Sequence, residues 1–295
     1  MVPQVAEKPK IDLIQEDVSL RSFTTWHVGG PARFFCQPKS TGQVKRAINF
    51  ANEMGLDIKI IGNGSNLLVP DEGYDGLVIR LGSNLAETEI NDRSINAAAG
   101  ASLYKLADIT NKAGSSCFNF LTGIPGTVGG GITMNAGAYG REISNYLKGV
   151  KYIDGQGEIH EYSHLPGSFD YRNSPFLDSE KIIVGAELKL DYTEDQPKMS
   201  EILESRRKKL PYSKPSAGSV FKNPTNCDKT AGELLDRAGA KGLTVGDAVV
   251  SHQHANFILN KGHATAKNIQ NTIDILRNRV YKEFGVTLVT EVVVI

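Results

Sequence analysis

The chain has 295 residues, 40% hydrophobic and 22% charged, the profile of a folded globular protein long enough for two or three domains. Its 33 Lys plus Arg balance 33 Asp plus Glu, so charge gives no reason to expect nucleic acid or an anionic membrane as a partner. Cys36, Cys117 and Cys227 are widely spaced and suit a reducing compartment better than a disulfide framework. The N-terminal stretch MVPQVAEKPKIDLIQED lacks the apolar centre of a secretory signal, and no run approaches the ~18 apolar residues of a membrane span, which predicts a cytoplasmic protein.

In chain order, TGQVKRAINFANEMG (41–55) carries Val44, Ala47, Ile48 and Ala51 at helical spacing, with Thr41 able to cap its start and Gly55 its end. DIKIIG reads as a short buried strand, and LLV and GLVIRLG as further strands after the loop GNGSN. SINAAAGAS reads as a strand, and SLYKLADITNKAG (102–114) as a helix with Leu103, Leu106 and Ala107 on one face. GVKYIDGQGEIHEYS reads as a hairpin about an Asp-Gly turn, and IIVGAELKLDY as a strand. TEDQPK (193–198) is polar, contains proline, and reads as a linker, which sets a boundary near residue 195. Beyond it MSEILESRRKKL, TAGELLDRAG and ATAKNIQNTIDILRNRVYKEFG (264–285) read as helices, and TLVTEVVVI as a closing strand. The pattern is α+β.

HEYSH (160–164) matches a zinc-protease pattern that works only on a helix, where the two histidines share a face. Here the stretch alternates as a strand, which separates His160 and His164 by about 13 Å at ~3.3 Å per residue, too far for one metal. No metal site is expected.

Two glycine-rich segments stand out. GNGSNLL (62–68) has Leu67 where a dinucleotide fingerprint needs its third glycine, and a strand rather than a helix follows. Its backbone can still form an anion nest, or simply a turn. GIPGTVGGGITMNAGAYG (123–140) holds seven glycines in eighteen residues, which neither a helix nor a plain strand tolerates; it reads as a ligand contact or a tight backbone crossing.

Three polar positions draw notice. In FDYRNSPF (169–176), Tyr171 and Arg172 precede a polar turn and suit carboxylate or phosphate recognition, although a surface arginine beside a turn is the commoner case. In SAGSVFKNP (216–224), Ser219 stands where a small-residue loop enters a strand and is either a turn residue or a reagent. Glu291 interrupts an apolar run, on the same side as Val289 and Val293, which predicts a partly buried carboxylate.

In order along the chain, TTWHVGGPA, GNGSNLLV, GIPGTVGG with NAGAYG, FDYRNSPF, SAGSVFKNP and the terminal Glu-Val resemble the UDP-N-acetylenolpyruvoylglucosamine reductase family, from about Leu20 to the C-terminus. The short stretch between Lys189 and Ser200 resembles its compact subtype. The resemblance implies an α+β fold: FAD-binding subdomains at 1–80 and 81–195 of the vanillyl-alcohol-oxidase type, and a substrate-binding domain at 196–295 whose C-terminal strand carries Glu291. It implies a non-covalent FAD held by Gly62, Asn63, Gly64, Ser65, Asn66 and Leu67, with Gly123, Pro125, Gly126, Gly129, Gly130, Asn135 and Gly137. It implies NADPH as hydride donor and UDP-N-acetylglucosamine enolpyruvate, reduced to UDP-N-acetylmuramate for peptidoglycan, as substrate. Arg172, Ser219 and Glu291 match the catalytic positions, with Ser219 as proton donor. Tyr171, Arg206, Lys209 and Asn223 match substrate-binding positions. Val293 stands where the family often has arginine, and His254 where some members have glutamine. On the residues alone, another flavoenzyme such as a small-alcohol oxidase, and a non-catalytic nucleotide binder, stay open.

Overall fold

The computed structural model describes residues 12–212 and 214–295; the first eleven residues of the stretch read as lacking a signal lie outside the described residues. The first sheet has the order β1 (Gln15–Ser19), β2 (Pro31–Cys36), β5 (Tyr74–Arg80), β3 (Ile58–Ile61). β2 and β3 both run parallel to β5, and α1 (Thr41–Met54) makes the crossover between them. Ser40, not Thr41, caps α1: its Oγ accepts from Gln43 N, while Gly55 ends the helix at φ 61° as expected. β3 lies at the sheet edge and only Ile61 on it is buried, less than its apolar run suggested.

The second sheet is antiparallel, in the order β11 (Ile159–Ser163), β10 (Leu147–Ile153), β12 (Ile182–Lys189), β7 (Ser94–Ala98), β6 (Thr88–Asn91). β10 and β11 form the expected hairpin, closed by Asp154, whose Oδ1 accepts from Gln156 N and Glu158 N. One core joins both sheets, with Phe34, Leu77 and Ile79 from the first and Ile95, Val150 and Leu188 from the second. It also takes Leu103, Leu106 and Ala107 of α2 (Leu103–Lys112), as that helix's spacing predicted. Cys36 and Cys117 are buried here, and burial pushes the Cys36 thiol up to about 12, which suits packing rather than reactivity.

Three expectations need correction. The glycine-rich segment contains a helix, α3 (Val128–Thr133), capped by Thr127. Glycine is accepted because the helix is pressed onto the core: a Cβ on Gly129 would lie 3.0 Å from that of Ala99, and one on Gly131 2.9 Å from Leu103 Cδ2. Residues 193–198 are not a free linker. Glu194 accepts from Tyr146 Oη at 2.8 Å, Arg141 Nε at 3.0 Å and Gln196 Nε2 at 3.1 Å, and Gln196 is buried with its other bonds to Cys117 and Phe120. Burial alone would raise the Glu194 carboxyl, but these hydrogen bonds outweigh it and hold the group below its ordinary value. Finally, TLVTEVVVI is strand only at β16 (Val293–Val294), with an isolated bridge from Thr290 to Phe221. β16 runs parallel to β4 (Leu67–Leu68), back in the N-terminal part of the chain.

A smaller cluster, with Leu20, Ala32, Phe35 and Val78, backs the first sheet, and a third core lies between β13 (Thr244–Val245), β14 (Ala248–Val250), β15 (Ile258–Asn260), α5 (Ala231–Arg237) and α6 (Ala266–Phe284). Trp26, Val28 and Leu68 are buried in this third core, and the Trp26 indole donates to Ile258 O at 2.7 Å. The Asp71 carboxylate accepts from Ala266 N and Lys267 N at the start of α6, so the N-terminal part grips this unit at several points. Met199–Lys209 form α4, and β8 (Gly137–Ala138) pairs with β9 (Arg141–Glu142). HEYS lies on β11 and His164 follows its end: His160 bonds Asp154 at 2.7 Å, and His164 packs on Phe169 with burial lowering its basicity. Among the described residues no group of three His, Cys, Asp or Glu side chains is set to hold a metal ion, and no helix is long and apolar enough to cross a membrane.

Candidate active site

The glycine loops meet. A Cβ on Gly62 would lie 2.5 Å from Thr127 Oγ1, and Asn63 Nδ2 reaches Pro125 O at 3.5 Å. Gly64 sits at φ 62° with Phe23 O directly beneath it, so only glycine fits. Outside β4, the backbone N–H groups of Asn63, Gly64, Ser65 and Asn66 donate to no acceptor among the described residues. Four consecutive amides without an acceptor in a glycine turn suit the oxygens of a diphosphate. On this observation the residues fit a dinucleotide such as FAD. In the second segment, Gly126 O accepts from Leu103 N, Gly129 N donates to Ala99 O, and Gly130 N donates to the Thr127 cap. These positions make the close backbone crossing that sequence offered as one of two readings. Leu67 belongs to β4, where it pairs with Val293.

Asn135, which the resemblance groups with the cofactor residues, is fully buried at φ 45° with both amide N–H groups committed. Its Nδ2 donates to Glu142 Oε2 at 2.6 Å and to Asp170 O at 2.9 Å, and its Oδ1 accepts from Ser144 N at 3.3 Å. The side chain therefore holds the Asp170–Asn173 turn, closed by reciprocal backbone bonds of 3.2 and 3.0 Å.

Arg172 stands on that turn at φ 53°. Its Nε donates to Glu291 Oε1 at 2.8 Å, both side chains being less than a fifth exposed. Its terminal nitrogens reach Asn135 O at 3.5 Å and Gly137 O at 3.2 Å, which leaves at least one N–H on each uncommitted. Tyr171, more than a third exposed, lies under the guanidinium, whose carbon is 4.9 Å from the ring centre. Glu291 is partly buried as expected, but Val289 on the supposed same side is open to solvent; the ion pair rather than strand alternation covers the carboxylate.

Backbone bonds bring Ser219 to this pair. Glu291 N donates to Val220 O at 2.8 Å, and Lys222 N to Val289 O at 2.9 Å, so 220–222 runs against 289–291 with Ser219 at its end. Ser219 Oγ makes no hydrogen bond among the described residues, whereas a turn-forming serine bonds its own backbone. Asn223 N meets Tyr171 Oη at 3.4 Å while its Oδ1 caps α5 through Ala231 N at 3.0 Å. Arg206, near the end of α4, donates to Gly123 O at 3.2 Å and to Tyr212 Oη, so it ties α4 to the glycine segment. Lys209, three residues on, is exposed and has no partner among the described residues. His254 packs over Gly232, and burial chiefly lowers its basicity.

Sequence reasoning passed over two residues here. Thr127 joins the glycine loops and caps α3. Lys222 reaches across to Arg172 O at 3.2 Å; its only signal was a cation within SVFKNP.

Comparison with known proteins bears directly on this arrangement. The C-terminal domain of UDP-N-acetylenolpyruvoylglucosamine reductase matches residues 210–295, and an FAD binding domain matches 32–163. The chain is 42% identical over 288 residues to the UDP-N-acetylenolpyruvoylglucosamine reductase of Desulforamulus reducens, covering 96% of this chain and 93% of that one. The chain belongs to the UDP-N-acetylenolpyruvoylglucosamine reductase family. The reductase of Anoxybacillus flavithermus is 38% identical over 289 residues, covering 97% of this chain and 95% of its own. The crystal structure of the reductase from Thermus caldophilus superimposes with a TM-score of 0.79 at 35% identity, covering 95% of this chain and 99% of that one. The α+β fold with an FAD-binding domain followed by the family's C-terminal domain is that of the family.

Proposed function

We propose that this chain reduces the enolpyruvyl ether of UDP-N-acetylglucosamine enolpyruvate to the lactyl ether of UDP-N-acetylmuramate, with Arg172, Ser219 and Glu291 as its catalytic residues. The observation that carries the assignment of these residues is the Arg172–Glu291 pair, tied by a backbone bond to the residue after Ser219. FAD, when bound, supplies a two-electron relay between NADPH and the substrate's double bond. Gly62–Leu67, with the 123–130 loop beside them, would hold the cofactor without a covalent link.

The rest follows from this chain's own groups. The enol double bond is conjugated to a carboxylate, so charge moves onto that carboxylate as hydride reaches the terminal carbon. The uncommitted Arg172 N–H groups bind it, and Glu291 keeps the guanidinium turned toward the site. Donors aimed at developing charge are usually the largest catalytic contribution. The α-carbon then needs a proton, and the unpartnered Ser219 hydroxyl holds it. Serine is a weak acid, but this carbon is strongly basic. Tyr171 and Asn223 face the substrate beside Arg172, and Arg206 and Lys209 bind its carboxylate or its nucleotide diphosphate. The same reading divides the chain at 80 and 195, and it is a reading for a cytoplasmic enzyme.

An anaerobic titration tests it. NADPH should bleach the yellow protein, and one equivalent of the enolpyruvyl sugar should restore the colour with formation of the lactyl ether. Acid precipitation should leave the flavin in the supernatant. Recovery of colour only with oxygen would make the protein an oxidase, and flavin in the pellet would overturn the non-covalent site.

A further inference from the structure

We propose that Lys222 is a positioning residue that holds Arg172 in its working conformation; this rests on the reading of Arg172 as the ligand of the substrate carboxylate. Arg172 occupies a corner of the Asp170–Asn173 turn at φ 53°, a region that favours glycine or asparagine. A long side chain stays there only where its surroundings fix the backbone.

The turn is gripped from two sides. Asn135 Nδ2 donates to Asp170 O at 2.9 Å, and Lys222 Nζ donates to Arg172 O at 3.2 Å. That carbonyl has no other partner among the described residues. Lys222 is itself anchored, since its N–H donates to Val289 O within the pairing that also carries Glu291. One short segment therefore presents Ser219, fixes Glu291 through Val220 O, and clamps the Arg172 turn through Lys222. Released from the ammonium group, Arg172 can relax to negative φ. That rotation would swing its Cα–Cβ bond away from Glu291 and from the substrate carboxylate.

The alternative is that Lys222 contacts the substrate itself, and a double-mutant cycle on the FAD-loaded enzyme separates the two. Lys222→Met should slow flavin reoxidation by the enolpyruvyl sugar about ten- to a hundredfold, the size of a charge-assisted hydrogen bond. In an Arg172→Ala background the same change should alter the rate less than about twofold, because the lysine acts through the arginine. Hydrogen exchange in a 169–176 peptide should quicken in Lys222→Met. Lys222→Arg, which keeps a cationic donor, should recover most of both losses. If Lys222→Met does not fold, Lys222→Gln is read by the same criteria. Equal losses in both backgrounds, or an unchanged rate with unchanged exchange, would overturn the proposal. Should Arg172→Ala alone leave reoxidation intact, the role of Arg172 fails first, and that result appears with Lys222 untouched.

Discussion

Arg172 and Glu291 lie 119 residues apart in sequence and meet through a 2.8 Å Nε–Oε1 hydrogen bond. One stands on a turn between β11 and β12 of the second sheet, the other just before the last strand. Asn66 Nδ2 also donates to Glu291 O at 3.0 Å, and Val293 N donates to Asn66 O at 3.0 Å. The glycine loop assigned to the cofactor is thus hydrogen-bonded to the backbone of the residue whose carboxylate holds Arg172.

Arg172→Lys should cost more than its conserved charge suggests. Lysine is a point donor and cannot bond Glu291 while presenting a planar pair of N–H groups. Turnover should fall about a hundredfold, as for loss of one donor aimed at transition-state charge. Steady-state kinetics with the enolpyruvyl sugar measure it, and unchanged turnover would remove Arg172 from the chemistry.

Gly64→Ala should empty the cofactor site. An added Cβ would lie 1.9 Å from Phe23 O at φ 62°, so the loop must move. Gly114 is the control: its φ is 89° but nothing lies within 4 Å, so alanine there adds only backbone strain, about 1 kcal/mol or somewhat more. The flavin-to-protein absorbance ratio should collapse in the first variant and hold in the second.

Glu194→Gln should lower stability by about 1–3 kcal/mol, since the carboxylate accepts hydrogen bonds from the buried Tyr146 and Gln196 and from the partly exposed Arg141. The folded carboxyl sits below its ordinary 4.5, so its contribution is complete above that value and is lost as pH falls through the folded one. Urea unfolding of both proteins should show a gap that is full at neutral pH and narrows below 4.5. A gap constant across that range would assign the effect to something other than ionisation.

Local chemistry was readable from sequence, and distant pairing was not. Gly55 and the amphipathic spacing of α1 and α2 reported their helices, although Ser40 took the cap assigned to Thr41. The α3 helix was hidden because glycine's low helix propensity is a local average, while its closeness to Ala99 and Leu103 is tertiary. Residues 193–198 look solvated in sequence, yet Glu194 and Gln196 find partners about 50 and 80 positions away. The candidate site was legible as motifs. That Asn135 supports Arg172 rather than facing outward, and that Lys222 reaches the same turn, depended on contacts no spacing encodes.

The central claim is that Ser219 delivers the proton to the α-carbon, and the two half-reactions of Ser219→Ala test it most directly. Hydride transfer from NADPH does not involve that proton, so bleaching of the flavin should proceed near the parent rate. Reoxidation by the enolpyruvyl sugar does need it and should slow about 100- to 10,000-fold, the usual effect of losing a general acid. Stopped-flow absorbance of the folded variant measures both rates. Reoxidation as fast as in the parent, or equal losses in the two half-reactions, would make Ser219 a structural residue and contradict the mechanism.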